Sequence, residues 1–124
     1  MSRLLAIDIG SARTGIAMSD ELQLTVRPMA TIPTGSLAGE LARLCAEEHI
    51  TTIVVGRPRS LDGGLHGQAL AIDTVVERLK PKVAASFVYE DETGTTVAAG
   101  KRGTDADAAR ILLEGYLAEQ RRNR

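Results

Sequence analysis

The sequence predicts a mixed α/β domain, a β-sheet with helices on its faces. Three apolar runs come first and close together, at 3–9, 14–20 and 24–32. Stretches with helical periodicity then alternate with short β-branched runs. The 124 residues suit one domain, large enough for a real core. With 44% hydrophobic and only 2% aromatic residues, that core must be built from Leu, Ile, Val and Ala.

Residues 3–9 read as a central strand, and 14–20, "TGIAMSD", as a second. The link between them is so short that an antiparallel hairpin is expected. "LTVRPMATI", 24–32, reads as a third strand, where Pro28 suits a sheet edge or a bulge. Ser36 is expected to cap a helix running to about His49, with Leu37, Leu41, Leu44 and Cys45 as its apolar stripe. "TTIVVG", 51–56, is short, apolar and β-branched, hence a buried strand. "RPRSLDGGLHG", 57–67, reads as loop. A second helix follows over about 67–79, with Ile72, Val75, Val76 and Leu79 on one face, and Pro81 stops it. "VAASFVYED", 83–91, is the last strand. Thr104 and Asp107 resemble a capping box opening a final helix to about Gln120. The chain is read as a single domain over 1–121 with a short basic tail at 122–124.

Composition excludes several classes. One cysteine, Cys45, rules out an internal disulfide framework and a thiolate zinc site. No apolar run approaches the roughly 18 residues of a membrane span, and the N-terminus lacks the pattern of a signal peptide. A cytoplasmic protein without membrane association is the expectation. The net charge of −1 argues against an overall basic surface. A local patch is still enough for phosphate contacts. Arg13, Arg57, Arg59, Lys101, Arg102 and Arg110 are the candidates, beside the tail "RRNR".

The acidic residues carry the chemistry. Asp8 interrupts an apolar strand, and a buried carboxylate is costly unless something pairs with it. Glu90, Asp91 and Glu92 end the last strand, and sites in open α/β sheets gather at strand ends. On the final helix, Asp105 lines up with Ala108, Ala109, Leu112 and Tyr116, so it shares the face that packs on the sheet. Asp107 lies about 200° away around the helix. Three acids converging at one site would repel, and their stable ionisation needs cations. An oxygen-only ligand set points to Mg²⁺ or Mn²⁺. Two such ions about 4 Å apart activate a water and stabilise the leaving oxygen of a phosphodiester. Spacing alone does not choose among Glu90, Asp91 and Glu92. Taken singly, each acid also fits a structural role, as a turn acid, a surface acid or a helix-dipole partner.

Four motifs in order resemble one family. "AIDIGSARTGIAMSD" resembles the opening of the YqgF/RuvX family, pre-16S rRNA nucleases also described as Holliday junction resolvase-like proteins. "TTIVVGRPRSLDG" resembles its strand and glycine-proline loop, and "DETGTT" its Asp-Glu-Arg-Leu-Thr-Thr motif. "KRGTDADAARILLEGYL" resembles its closing stretch. The resemblance implies an RNase H-like fold, with a mixed five-stranded sheet and helices on both faces, and a metal-dependent endonuclease. It carries the family's acidic triad onto Asp8, Glu92 and Asp105, as catalytic residues and metal ligands. Thr93 and Gly94 stand where the family has Arg and Leu, and the link from Thr96 to Lys101 is shorter than in the family.

The resemblance leaves two substrates: the 5′ end of precursor 16S rRNA, ranked first, and a four-way DNA junction. Junction resolution needs two coordinated cuts and so a homodimer. "DIGSARTG" also looks like the phosphate loop of sugar and acetate kinases, but those enclose ATP between two such domains and this chain supplies one. A nucleic-acid-binding module that has lost turnover is the remaining class.

Overall fold

The computed structural model describes residues 2–57, 63–91 and 105–123, with backbone only for 63–68. Five strands, β1 (Arg3–Ile9), β2 (Arg13–Ser19), β3 (Val26–Pro33), β4 (Ile50–Arg57) and β5 (Ser86–Asp91), form one sheet in the order β3-β2-β1-β4-β5. β1, β2 and β3 pair antiparallel, whereas β1, β4 and β5 run parallel. Among the described residues the α-helices are α1 (Leu37–Glu48), α2 (Gly63–Leu79) and α3 (Asp105–Arg122).

Side-chain alternation along the central strand builds two cores. Leu5, Ile7 and Ile9 of β1 face one way and pack with Leu41 of α1 and Ile72 and Val76 of α2. Leu4 and Ala6 face the other way and pack with Ala109, Leu112 and Leu113 of α3. The sheet is therefore mixed, five-stranded and covered on both faces, which is the RNase H-like arrangement. No helix among the described residues is long and apolar enough to cross a membrane.

Pro28 satisfies both of its expected settings. It sits in edge strand β3, opposite Ala17, where the β2–β3 register shifts between Ile16 and Ala17. Ser36 departs from expectation. A 3₁₀ turn at Thr34–Ser36 precedes α1, and the Ser36 side chain makes no capping bond. The Leu37 amide bonds instead to the Thr34 carbonyl, so backbone takes over the capping. At the other end His49 adopts the left-handed conformation (φ 57°) and terminates α1.

α2 begins at Gly63, four residues before the expected start, although Gly63, Gly64 and Gly67 lie in its first turns. Each glycine costs about 1 kcal/mol relative to alanine, but every residue added to an existing helix gains a backbone hydrogen bond. β5 starts later than expected, at Ser86. Its pairing with β4 begins only at Thr52, and Lys80–Lys82 form a 3₁₀ turn before it. α3 runs through Arg122, which takes the first residue of the expected tail into the helix. Thr104, the expected cap, lies outside the described residues.

Candidate active site

Asp8 continues the row of Leu4 and Ala6, so strand alternation points it to the α3 side of the sheet. It is half-buried, and its cross-strand partner is Gly15 of β2. Gly15 is where α3 lands: a Cβ built there would collide with the Asp105 carbonyl and the Ala106 amide. The missing side chain lets the first turn of α3 rest directly on the sheet. Asp105 is thereby held against the residue opposite Asp8, and the two carboxylates belong to backbone segments one strand apart.

The helix register agrees with this placement. The buried residues of α3 are Ala106, Ala108, Ala109, Leu112, Leu113 and Leu117. Asp105 falls within the arc that they span, and Asp107 falls opposite its centre by helical geometry. Arg13, the first residue of β2, places its Nε 3.3 Å from Asp105 Oδ2. The pair is open to solvent, with the side chains 72% and 35% exposed.

Arg57, at the end of β4, is engaged elsewhere. Its Nε and one terminal nitrogen donate to the two carboxylate oxygens of Asp73 on α2, at 3.0 and 2.9 Å. Its guanidinium also lies over the Tyr89 ring, 5.5 Å from the centroid. Arg57 holds the Asp73 carboxyl below the usual carboxylate range. This clamp ties β4 to α2 on the face away from Asp8. Glu92, Arg59, Lys101 and Arg102 lie outside the described residues. Among the described residues, no three His, Cys, Asp or Glu side chains gather as a metal cluster.

The sequence model of RuvX, described as Holliday junction resolvase, matches residues 2–119. The chain belongs to the RuvX family. Its RuvX relatives include a "Putative pre-16S rRNA nuclease" of Moorella thermoacetica, 34% identical over 131 aligned positions covering 93% of this chain and 94% of the relative. One of the same name from Roseiflexus sp. is 30% identical over 135 positions, covering 96% of each. Both alignments are longer than the 124-residue chain, so each relative carries residues absent here. Among solved structures, T. thermophilus RuvC in complex with Holliday junction substrate superposes with a TM-score of 0.64 at 11% identity, covering 98% of this chain and 96% of that one. Fowlpox virus resolvase, in complex with Holliday junction DNA, gives 0.53 at 10% identity, covering 95% and 98%. At such identities the likeness is one of fold.

In this RuvX chain the parallel strands end level with one another. Val55 pairs with Ile7 on one side and Tyr89 on the other, so the ends of β1, β4 and β5 bring Asp8, Gly56 and Glu90 to one edge. Glu90 is pushed up to about 7, by burial first and then by the charge and hydrogen bond of Glu119 and the charge of Asp91. One carboxyl of the Glu90–Glu119 pair must keep its proton to donate to the other. A folded-state value above the unfolded one, 4.5, means that stability is full below about 4.5 and falls as pH rises through about 7. Glu90→Gln is expected to remove that decline. The variant should gain on the order of 1 kcal/mol over the parent at about pH 8, after allowance for solvent screening, and nothing at about pH 4. Thermal midpoints of both proteins across this range check it.

The donor set fits a hard divalent cation. Asp8 and Asp105 offer only carboxylate oxygens, and Asp105 already attracts a guanidinium. Sequence reasoning placed Gly15 in the second strand, 14–20, and missed its role as the seat of α3. It also missed Asp73 and Tyr89 as partners of Arg57. The available signal for Gly15 was its place seven residues after Asp8, across a hairpin.

Proposed function

We propose that this chain is a metal-dependent endonuclease that hydrolyses phosphodiester bonds in structured nucleic acid, with the 5′ end of precursor 16S rRNA as its substrate. The observation that carries this reading is the seating of Asp105 on Gly15, directly opposite Asp8. The rRNA substrate is supported by the names of relatives 30–34% identical over nearly the whole chain. Asp8, Asp105 and Glu92 would hold Mg²⁺ or Mn²⁺, two ions in all. When bound, the ions supply an activated water and stabilise the leaving oxygen. Asp8 comes from a rigid central strand and Asp105 from a packed helix terminus, so both carboxylates are preorganised. Arg13, Arg59, Lys101 and Arg102 contact neighbouring phosphates. Arg57 contributes there only when its pair with Asp73 opens. A cytoplasmic setting accords with ribosomal RNA as substrate.

A second reading, cleavage of a four-way DNA junction, is favoured by the family's description and by the fold shared with RuvC. It requires a homodimer to deliver two cuts. Incubation with Mg²⁺ or Mn²⁺ and either a labelled four-way junction or a 5′-extended 16S precursor separates the two. Cleavage of the precursor alone is expected. Symmetric cleavage of the junction alone transfers the assignment to a resolvase, and binding without metal-dependent cleavage of either leaves a binding module.

The arginines differ in their expected effects. Arg13→Ala should flatten the dependence of log affinity on log salt by about one unit. Arg57→Ala should instead lower the thermal midpoint, since it strands Asp73, and leave the slope unchanged. Filter binding over a salt series, with melting curves of the same variants, would reverse this assignment if the slope changed only in Arg57→Ala.

A further inference from the structure

Two arginine–aspartate pairs in this protein are built differently. Arg57 meets Asp73 through two nitrogens and two oxygens and is further held over Tyr89. The nearest approach of Arg13 to Asp105 is Nε to Oδ2, at 3.3 Å, and the Arg13 side chain is 72% exposed. That contact is longer and more exposed than those of Arg57 with Asp73, so it is the weaker hold.

The backbone beneath Arg13 is fixed on several sides. The Gly10 amide donates to the Arg13 carbonyl at 2.9 Å, and the Thr34 amide donates to the Ala12 carbonyl at 3.0 Å. The Thr34 hydroxyl donates to the Gly10 carbonyl at 2.8 Å, and the buried Thr14 hydroxyl lies 2.9 Å from it. The turn is braced from the end of β3 while the Arg13 side chain extends into solvent. A long, exposed arm on a rigid base can change partners without moving the fold.

We propose that Arg13 is an exchangeable counter-cation for the acidic site. It neutralises Asp105 while no metal is bound, yields that carboxylate to an arriving divalent cation, and then turns its guanidinium to a phosphate of the substrate. This rests on the reading of Asp105 as a metal ligand. Metal and phosphate binding are then coupled through one side chain. A cation on Asp105 frees Arg13 for phosphate, and a phosphate on Arg13 frees Asp105 for the cation. By linkage each raises the affinity for the other by the same factor. Arg13 is a positioning residue in this scheme, and its signature is in binding rather than only in turnover.

Calorimetric titration of Mn²⁺ into the full chain, without nucleic acid, tests this. Arg13→Gln should bind Mn²⁺ about two- to fivefold more tightly than the parent, the range set by loss of an exposed ion pair. Arg110→Gln is the control for a general field effect, because Arg110 sits on the same helix but pairs with Glu114 at 2.9 Å. It should leave Mn²⁺ affinity unchanged. In parallel, the Arg13 Nε–H resonance of the parent should shift and exchange faster as Mg²⁺ is added, with the midpoint of metal binding. Equal or weaker Mn²⁺ affinity in Arg13→Gln, an equal gain in Arg110→Gln, or an Nε–H signal unmoved by saturating Mg²⁺ overturns the inference and leaves the metal site standing. Absence of Mn²⁺ binding in parent and variant alike overturns both the inference and the metal-ligand reading.

Discussion

Gly15→Ala is expected to destabilise the protein by about 1–3 kcal/mol and to depress cleavage by more than that loss explains. The added methyl would meet the Asp105 carbonyl and the Ala106 amide, which are backbone atoms of a packed helix and not the tip of a side chain that can swing away. α3 would have to lift at its N-terminus, against the buried contacts of Ala108, Ala109 and Leu112. Asp105 would move with it. A displacement of about 1 Å in a reacting constellation can cost ~10²-fold in rate. Gly115→Ala is the matched control, since a Cβ there meets nothing within 4 Å. In the middle of α3 it should gain up to about 1 kcal/mol in helix propensity. Melting curves and single-turnover cleavage on the two variants check the contrast. A Gly15→Ala protein of parental stability and activity would mean that α3 does not rest on β2 at this point.

Asp105→Asn is expected to abolish cleavage, and Asp107→Asn to preserve it. Both acids are in the first turn of α3, so each interacts favourably with its dipole, worth about 0.3–1 kcal/mol. Only Asp105 lies in the arc of buried residues and over Gly15. Relief of carboxylate repulsion would by itself make Asp105→Asn more stable in metal-free buffer. Arg13, 3.3 Å from Asp105, already offsets that repulsion, so the gain should be small. Turnover and thermal midpoint, with and without Mg²⁺, distinguish the pair. A dead Asp107→Asn beside an active Asp105→Asn would mean that the helix register has been assigned wrongly to function.

Much of this arrangement was legible in the order of residues. The near-continuous apolar run at 3–9 predicted a buried central strand, and the short link to 14–20 predicted its antiparallel partner. The spacing of Ala108, Ala109 and Leu112 predicted which side of the last helix meets the sheet, and all three are buried. Periodicity reports the face of an element, however, and not what lies against it. Gly15 acquires its meaning from Asp105, ninety positions along the chain and on a different layer. Arg57 reads as a loop cation until Asp73, on the neighbouring helix, is found beside it. The opening turns of α2 were hidden for another reason. Local glycine propensity argues for a loop, whereas helix propagation depends on the turns that follow. Glu92 was singled out by resemblance to a family motif and not by spacing, which left Glu90 and Asp91 equally eligible.

We propose that phosphodiester cleavage takes place at Asp8. Single-turnover cleavage of a 5′-extended 16S precursor by Asp8→Asn in saturating Mg²⁺ tests it most directly. The substitution keeps the shape of the side chain and removes its charge. A cleavage rate lower by orders of magnitude, in a protein that retains the parent's thermal midpoint, is the predicted result; near-parental turnover would contradict the assignment of the site.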